Sequence, residues 1–185
     1  VLPTAALLGR YRSQLGPITG NIITSTFAMP GLLVALAVFF WTLRNSWAAE
    51  HLRGTLVVLI FAYVVRFGAQ ALGAAHVAVS AVPDQLHDAA RVLGAHPVRR
   101  LITVDSPLVR PGLLAGGGLV LLSTMKELPI TLLVAPFEFS TLTTKIFQSF
   151  EDAFVAEAGL MAMTLVMLSG ILTWFLVVRR AHHLD

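Results

Sequence analysis

The sequence predicts an all-α membrane protein with four spanning helices, and three observations carry that expectation. Of its 185 residues, 56% are hydrophobic and only 12% charged, too apolar and too charge-poor for a soluble domain of this length. The apolar residues gather into long uncharged runs, Ser13 to Leu43, Thr55 to Val65, Pro111 to Met125 and Ala158 to Val178, which separates a lipid-embedded chain from a merely greasy globule. The basic charges are nearly all arginines, and most of these flank those runs, as topology signals do.

A helix needs about 20 residues to cross roughly 30 Å of hydrocarbon. The first span falls at about 20–43, within the run from Pro17 to Leu43. Pro30 at its centre removes a backbone donor, with Ser25 and Thr26 a turn earlier, so a kink is expected there. The second, about 54–75, begins after Arg53 and is interrupted by Arg66. An arginine at that depth costs about 2.5–3.5 kcal/mol in lipid, so Arg66 must face protein, water or a headgroup.

The third span, about 109–128, carries Gly112 and the Gly116-Gly117-Gly118 run and ends before Pro129. Its small residues permit close helix contact, although GxxxG at Gly112 and Gly116 is a common pattern. The fourth, about 158–178, is uncharged and closes on Arg179 and Arg180. The opening Val1 to Leu8 contains Pro3, is too short to span and lacks the basic region of a signal peptide. It reads as a truncated start, so the chain is expected to be the C-terminal part of a longer protein.

Four alternating spans place Arg10, Arg12, Arg91, Arg99, Arg100, Arg110, Arg179 and Arg180 on one side. That side is expected to be cytoplasmic, with the 82–107 loop and the C-terminus in it. The net charge of +3 therefore describes topology and not a nucleic-acid footprint. With no cysteine there is no disulfide framework, thiol nucleophile or thiolate metal site. The six histidines show no metal-ligand spacing, so no metal site is expected. No constellation of nucleophile and base within the spans points to an intramembrane enzyme, and no catalytic residue is assigned.

Between the second and third spans, Val82 to Gly94 reads as a short helix with Asp84 as N-cap and Gly94 as C-terminal glycine. Leu86, Ala89 or Ala90, and Leu93 form a narrow apolar stripe with small residues at its middle. Pro97 opens a second segment through Arg99, Arg100, Leu101 and Val104 to Pro107. On pattern alone this is equally a solvated amphipathic linker. Its spacing, however, resembles the coupling loop of ABC-importer permeases: Asp88-Ala89-Ala90, three residues, Gly94, nine residues, then Val104-Asp105-Ser106-Pro107. Asp88, Val104 and Ser106 replace the family's glutamate, isoleucine and leucine, whereas Ala89, Ala90, Gly94 and Pro107 match outright.

The likeness continues through Met29-Pro30-Gly31, Ala62 to Phe67, Arg110 to Gly116, Lys126-Glu127-Leu128-Pro129-Ile130-Thr131-Leu132, and Thr141-Leu142 with Lys145-Ile146-Phe147. Over most of the chain it resembles the ferric-iron permease group. The resemblance implies a type I ABC-importer transmembrane domain in a bacterial inner membrane, embedded in lipid and lacking a cofactor of its own. ATP-Mg belongs to a partner ABC ATPase subunit, which the loop grips through Asp88, Ala89, Ala90, Gly94, Val104 and Pro107. It further implies an extracytoplasmic substrate-binding protein, a second permease half and no nucleic acid.

The implied activity is import of ferric iron by alternating access, with thiamine, phosphonate, sulfate or molybdate, and polyamine as alternative substrates. A non-transporting scaffold or channel is the alternative from another class. Lys126, Glu127 and Arg66 are candidate pathway or gate residues, because charges in an apolar helix need a reason. The other reading of Lys126 and Glu127 puts both at the outer interface, Lys126 snorkelling and Pro129 ending the helix. Arg66 is at least equally a structural ion pair or a snorkelled side chain. Glu138, Glu151, Asp152 and Glu157 form an acidic group opposite the loop, suited to docking a binding protein or simply solvated.

Overall fold

The computed structural model describes residues 29–83, residues 85, 86, 89, 92 and 96, and residues 100–181. Among these every regular element is helical. Helix α1 is Gly31–Arg44, α2 Ser46–His51, α3 Leu56–Ser80, α4 Ser106–Met125, α5 Pro129–Val134, α6 Leu142–Glu151 and α7 Val155–Ala181. A π-helical turn, Leu101–Asp105, leads directly into α4. Three of these are long and apolar enough to cross a membrane: α3, α4 with its lead-in from Ile102, and α7. Many of their large side chains are exposed, among them Val57, Ile60 and Val64 on α3 and Leu160, Met163 and Val166 on α7. Surfaces of that composition suit lipid or a partner helix and not water.

The first expected span departs from expectation at Pro30. Where a kink is expected, Pro30 takes extended backbone (φ −56°, ψ 140°) and stands as the N-cap of α1. Proline is pre-shaped for a helix start and has no N–H to contribute to a preceding turn, so a helix begins more readily after it than continues through it. At 14 residues, α1 rises about 21 Å, short of a full crossing. The stretch 20–28, expected to begin this span, lies outside the described residues.

Asn45 stops α1 by turning extended, and its side chain then accepts the Ala48 N–H at 3.2 Å to cap α2. Gly54, at φ +70°, takes the left-handed turn that glycine adopts without steric penalty. From there α3 runs 25 residues without interruption, past Arg66.

Helices α3 and α4 are antiparallel and approach at small residues. A Cβ built on Gly112 would stand 2.5 Å from Ala78 Cβ, and one on Gly116 would stand 2.3 Å from Ala74 Cβ. Neither glycine tolerates a methyl group without separating the helices, which gives the GxxxG spacing its packing reason here. On another side of α4, a Cβ on Gly118 would meet Leu176 Cδ1 at 2.2 Å, so α7 crosses α4 beside the Gly116–Gly118 run.

Two short helices stand between the third and fourth expected spans, where no element is expected. Helix α5 is wedged between α1 and α3, in a core of Val34, Ala35, Val38, Val58, Leu59, Ala62, Ile130 and Val134. Helix α6 opens on a capping box between Thr141 and Thr144. It closes with Ala153 in the left-handed region at φ 63° and the Phe154 N–H on the Ser149 carbonyl at 2.8 Å, the bonding of a Schellman stop.

Candidate functional site

The third expected span, 109–128, stops short of its expected end at Leu128. Helix α4 ends at Met125 with Lys126 as its C-cap, and Pro129 starts α5 instead of ending α4. Lys126, Glu127 and Leu128 are therefore the hinge of a broken helix. The Thr143 hydroxyl on α6 donates to the Met125 carbonyl at 2.5 Å, meeting one acceptor that the break releases.

The depth of this break follows from the packing. The Gly112–Ala78 and Gly116–Ala74 contacts set Glu127 level with Tyr63, about 11 Å inboard of Leu56 at the end of α3. The α4 rod therefore stops well short of that end, and α5 fills the remaining height beside α1 and α3. Ile130 and Thr131 are fully buried there. Irregular backbone at membrane depth is tolerated where protein covers it or where it lines a cavity, and here α1, α3 and α6 supply the cover.

Glu127 and Lys126 diverge from this hinge. The Glu127 carboxyl lies against the amino end of α1, with Oε1 2.5 Å and Oε2 3.6 Å from where a Gly31 Cβ would stand. A carboxylate at that point faces the positive end of the helix. Oε1 is buried without a hydrogen-bond partner, so position and field hold it there. The Glu127 carbonyl accepts the Thr131 hydroxyl at 2.9 Å, and Tyr63 on α3 bonds the same hydroxyl at 2.5 Å. With its hydrogen committed to Glu127, Thr131 leaves Tyr63 as the donor, so α3, α5 and the hinge form one chain of hydrogen bonds.

The start of α1 and the Lys126–Leu128 break consequently meet, joined by Glu127 over Gly31. Lys126 is exposed and borders an open groove of about 680 Å³ along α7, lined also by Leu165, Val166, Gly170, Thr173 and Trp174. Arg66 sits within α3, one turn toward the 82–100 side of Tyr63, with its guanidinium 5.9 Å from the centre of the Phe67 ring. It is partly buried and on the same helix as Tyr63, but at a different level from the hinge.

Of the loop residues, Ala89 is helical and exposed, whereas Asp88, Ala90 and Gly94 lie outside the described residues. Val104 falls in the π-helical turn and Pro107 in the first turn of α4. The end of the loop motif is thus already the start of the third span. Arg100 and Asp105 stand 3.6 Å apart, 17% and 10% exposed, five positions apart on a wound segment whose i→i+5 spacing brings them to one face. Across the molecule, Glu138, Glu151, Asp152 and Glu157 are all exposed, and Glu157 lies in the first turn of α7, where its charge suits the helix dipole.

Sequence reasoning missed Gly31, Tyr63 and Thr131 as parts of this arrangement. Met29-Pro30-Gly31 carried a signal in its proline, but nothing in spacing couples position 31 to position 127. The family described as binding-protein-dependent transport system inner membrane component matches residues 2–182. The chain is 31% identical over 170 residues to the Fe(3+)-transport system permease protein FbpB 2 of Haemophilus influenzae, covering 92% of this chain and 33% of that protein. It is 25% identical over 160 residues to a protein of Salmonella typhimurium named as a candidate 2-aminoethylphosphonate transport system permease, PhnV, covering 86% and 60%.

A second such protein of that organism, PhnU, is 29% identical over 147 residues, covering 70% and 50%. The chain spans a third to three-fifths of the length of these relatives. With its helical architecture, apolar spans and match over nearly its whole length, the chain belongs to the inner-membrane permease components of binding-protein-dependent transport systems, the type I ABC-importer class.

Proposed function

We propose that this chain forms one half of the membrane pathway of an ATP-driven importer for ferric iron, with the 82–107 loop and the C-terminus in the cytoplasm. The observation that carries the reading is the continuity of α4. Its lead-in holds Val104, its first turn holds Pro107, and its far end is the Lys126–Leu128 break. A partner ATPase that binds ATP-Mg and closes would pull the loop, and α4 would carry that movement to a point deep in the membrane as a rigid body.

A helix broken near the middle of a membrane, like α4 at Lys126–Leu128, is where transporters commonly place substrate contacts. Glu127, Lys126 and Arg66 are accordingly proposed to line or gate the pathway between this half and a second one. An extracytoplasmic binding protein delivers substrate to the side bearing α6 and the exposed acids. The chain contributes no catalytic residue, since hydrolysis belongs to the ATPase.

Iron is favoured by the relative named for Fe(3+) transport, which matches 92% of this chain. Phosphonate is the second reading, favoured by the two relatives named for 2-aminoethylphosphonate. Replacing Gly94 with tryptophan tests the coupling. The expected result is normal membrane insertion with loss of ATPase co-purification and uptake, and normal co-purification overturns the assignment. In proteoliposomes carrying the whole transporter, radiolabelled ferric iron is expected to accumulate. Accumulation of aminoethylphosphonate in its place would replace the substrate and leave the permease reading standing, whereas ATP-independent flux or none would favour a channel or scaffold.

A further inference from the structure

The segment that joins the 82–107 loop to α4 is weakly tied along its backbone. Pro107 in the first turn of α4 and Pro111 within the helix bring no N–H. The carbonyls of Thr103 and Pro107 therefore each lack the α-helical bond that the residue four places on would donate. A proline ring also crowds the carbonyl four residues earlier, and the wider winding of Leu101–Asp105 gives Thr103 room for it. Turns of this kind are where helices bend. Yet movement of the loop can reach the Lys126–Leu128 hinge along α4 only through this segment.

A side-chain pair spans the same turn. Nε of Arg100 and Oδ2 of Asp105 stand 3.6 Å apart, with the two side chains 17% and 10% exposed. Asp105 is the one acid buried outright among the described residues, and it occupies the junction itself, directly before α4. Opposite charges away from water attract strongly, and removing either one leaves the other uncompensated in a poor solvent for it. The pair thereby opposes any bend that would part residues 100 and 105. Arg110, further along α4, is by contrast exposed.

We infer that the Arg100–Asp105 pair is a strut that stiffens the coupling segment, so that displacement of the loop passes into α4 instead of being absorbed in the π-helical turn. With the pair broken, the turn flexes and the displacement is lost before it reaches the hinge. Both are positioning residues, which act through α4 and touch neither substrate nor nucleotide. Their role rests on the permease reading for the source of the movement.

The test uses the complete transporter, with its ATPase, in proteoliposomes. The chain has no cysteine, so in complexes whose other subunits are cysteine-free, His96→Cys and Leu121→Cys carry a pair of spin labels. Both positions are exposed, one ahead of the turn and the other toward the far end of α4. A narrow distance distribution is expected, broadened about twofold or more by Asp105→Asn and by Arg100→Gln. Exchanging the charges, Arg100→Asp with Asp105→Arg, is expected to restore the width. Arg110→Gln, which removes an exposed positive charge from the same end of α4, is expected to leave it unchanged.

In the unlabelled complex, Asp105→Asn is expected to keep ATP hydrolysis within about twofold while uptake falls roughly fivefold or more, as a slack linkage requires. The uptake probe is radiolabelled ferric iron, or aminoethylphosphonate where the unsubstituted transporter accumulates that instead. Equal label widths in all variants overturn the inference, as does an uptake loss that Arg110→Gln reproduces or that the charge exchange fails to relieve. ATPase co-purification, measured on the same preparations, reports separately on the permease reading. Its absence from the unsubstituted protein would discredit that reading, and the label widths would still judge the strut.

Discussion

The contact between Gly31 and Glu127 makes a prediction whose sign depends on a second residue. In Gly31→Ala the new Cβ would stand 2.5 Å from Glu127 Oε1, while Cδ and Oε2, at 3.4 and 3.6 Å, are already at contact distance. The carboxyl must withdraw by about 1 Å to restore ordinary separation. Because it ends a flexible side chain, the chain still folds. The displaced group gives up its place at the amino end of α1, worth about 1 kcal/mol and up to about 2 in a partly buried setting. An off-rotamer adjustment adds about 1 kcal/mol.

Against this, alanine is the better helix former by up to about 1 kcal/mol. With Glu127 present, Gly31→Ala is therefore expected to destabilise by about 1 kcal/mol. In a Glu127→Ala background the obstruction is absent, and the same change is expected to be neutral or stabilising. The coupling in the double-mutant cycle should be about 1–2 kcal/mol, read from reversible unfolding in detergent followed by tryptophan fluorescence. Equal shifts in the two backgrounds, within about 0.5 kcal/mol, would refute the idea that the carboxyl and α1 are held against each other.

Two further predictions rest on other contacts. At the crossing of α3 and α4, Gly116→Ala is expected to destabilise by about 1–3 kcal/mol through overpacking, and adding Ala74→Gly should recover most of that loss. Failure of the second change to compensate in thermal unfolding would mean that the two helices are not held at van der Waals contact there. At the hinge, Thr131→Val is expected to cost about 1–3 kcal/mol, because it strips a partner from the part-buried Tyr63 hydroxyl. Tyr63→Phe should cost less, since Thr131 keeps its bond to the Glu127 carbonyl. The reverse order of effects would contradict the direction assigned to these hydrogen bonds.

How much of this was legible in the sequence depended on whether a feature was local. The long apolar runs announce α3, α4 and α7, and the Gly112/Gly116 spacing announces a close crossing, because each signal lies within a single helix. Breaks were harder. Pro30 suggests a kink and Pro129 a stop, yet α1 starts directly after Pro30 and α5 starts at Pro129, and only the packing around them decides that. Helix α5 has six residues, too few to show a period, and its burial comes from α1 and α3. Helix α6 had a local signal in the Thr141–Thr144 pair, a variant of the usual capping box with threonine where glutamate or glutamine is common. The opposite directions taken by Lys126 and Glu127 follow from the hinge, which no pattern in either residue's neighbourhood reveals.

The crossing of α3 and α4 also fixes how movement would be shared along α4. From Val104 to the middle of the Gly112–Gly116 contact the helix rises about 15 Å, and from there to Lys126 about 18 Å. Pressed against Ala74 and Ala78 with no room for a methyl group, that contact is a fulcrum near the midpoint of a beam. A 3 Å push at one end would return about 3.6 Å in the opposite direction at the other, by the ratio of the two arms. The small residues would thus do more than let two helices approach: they would set a gearing close to unity, and adding bulk there would shift the pivot along with the packing.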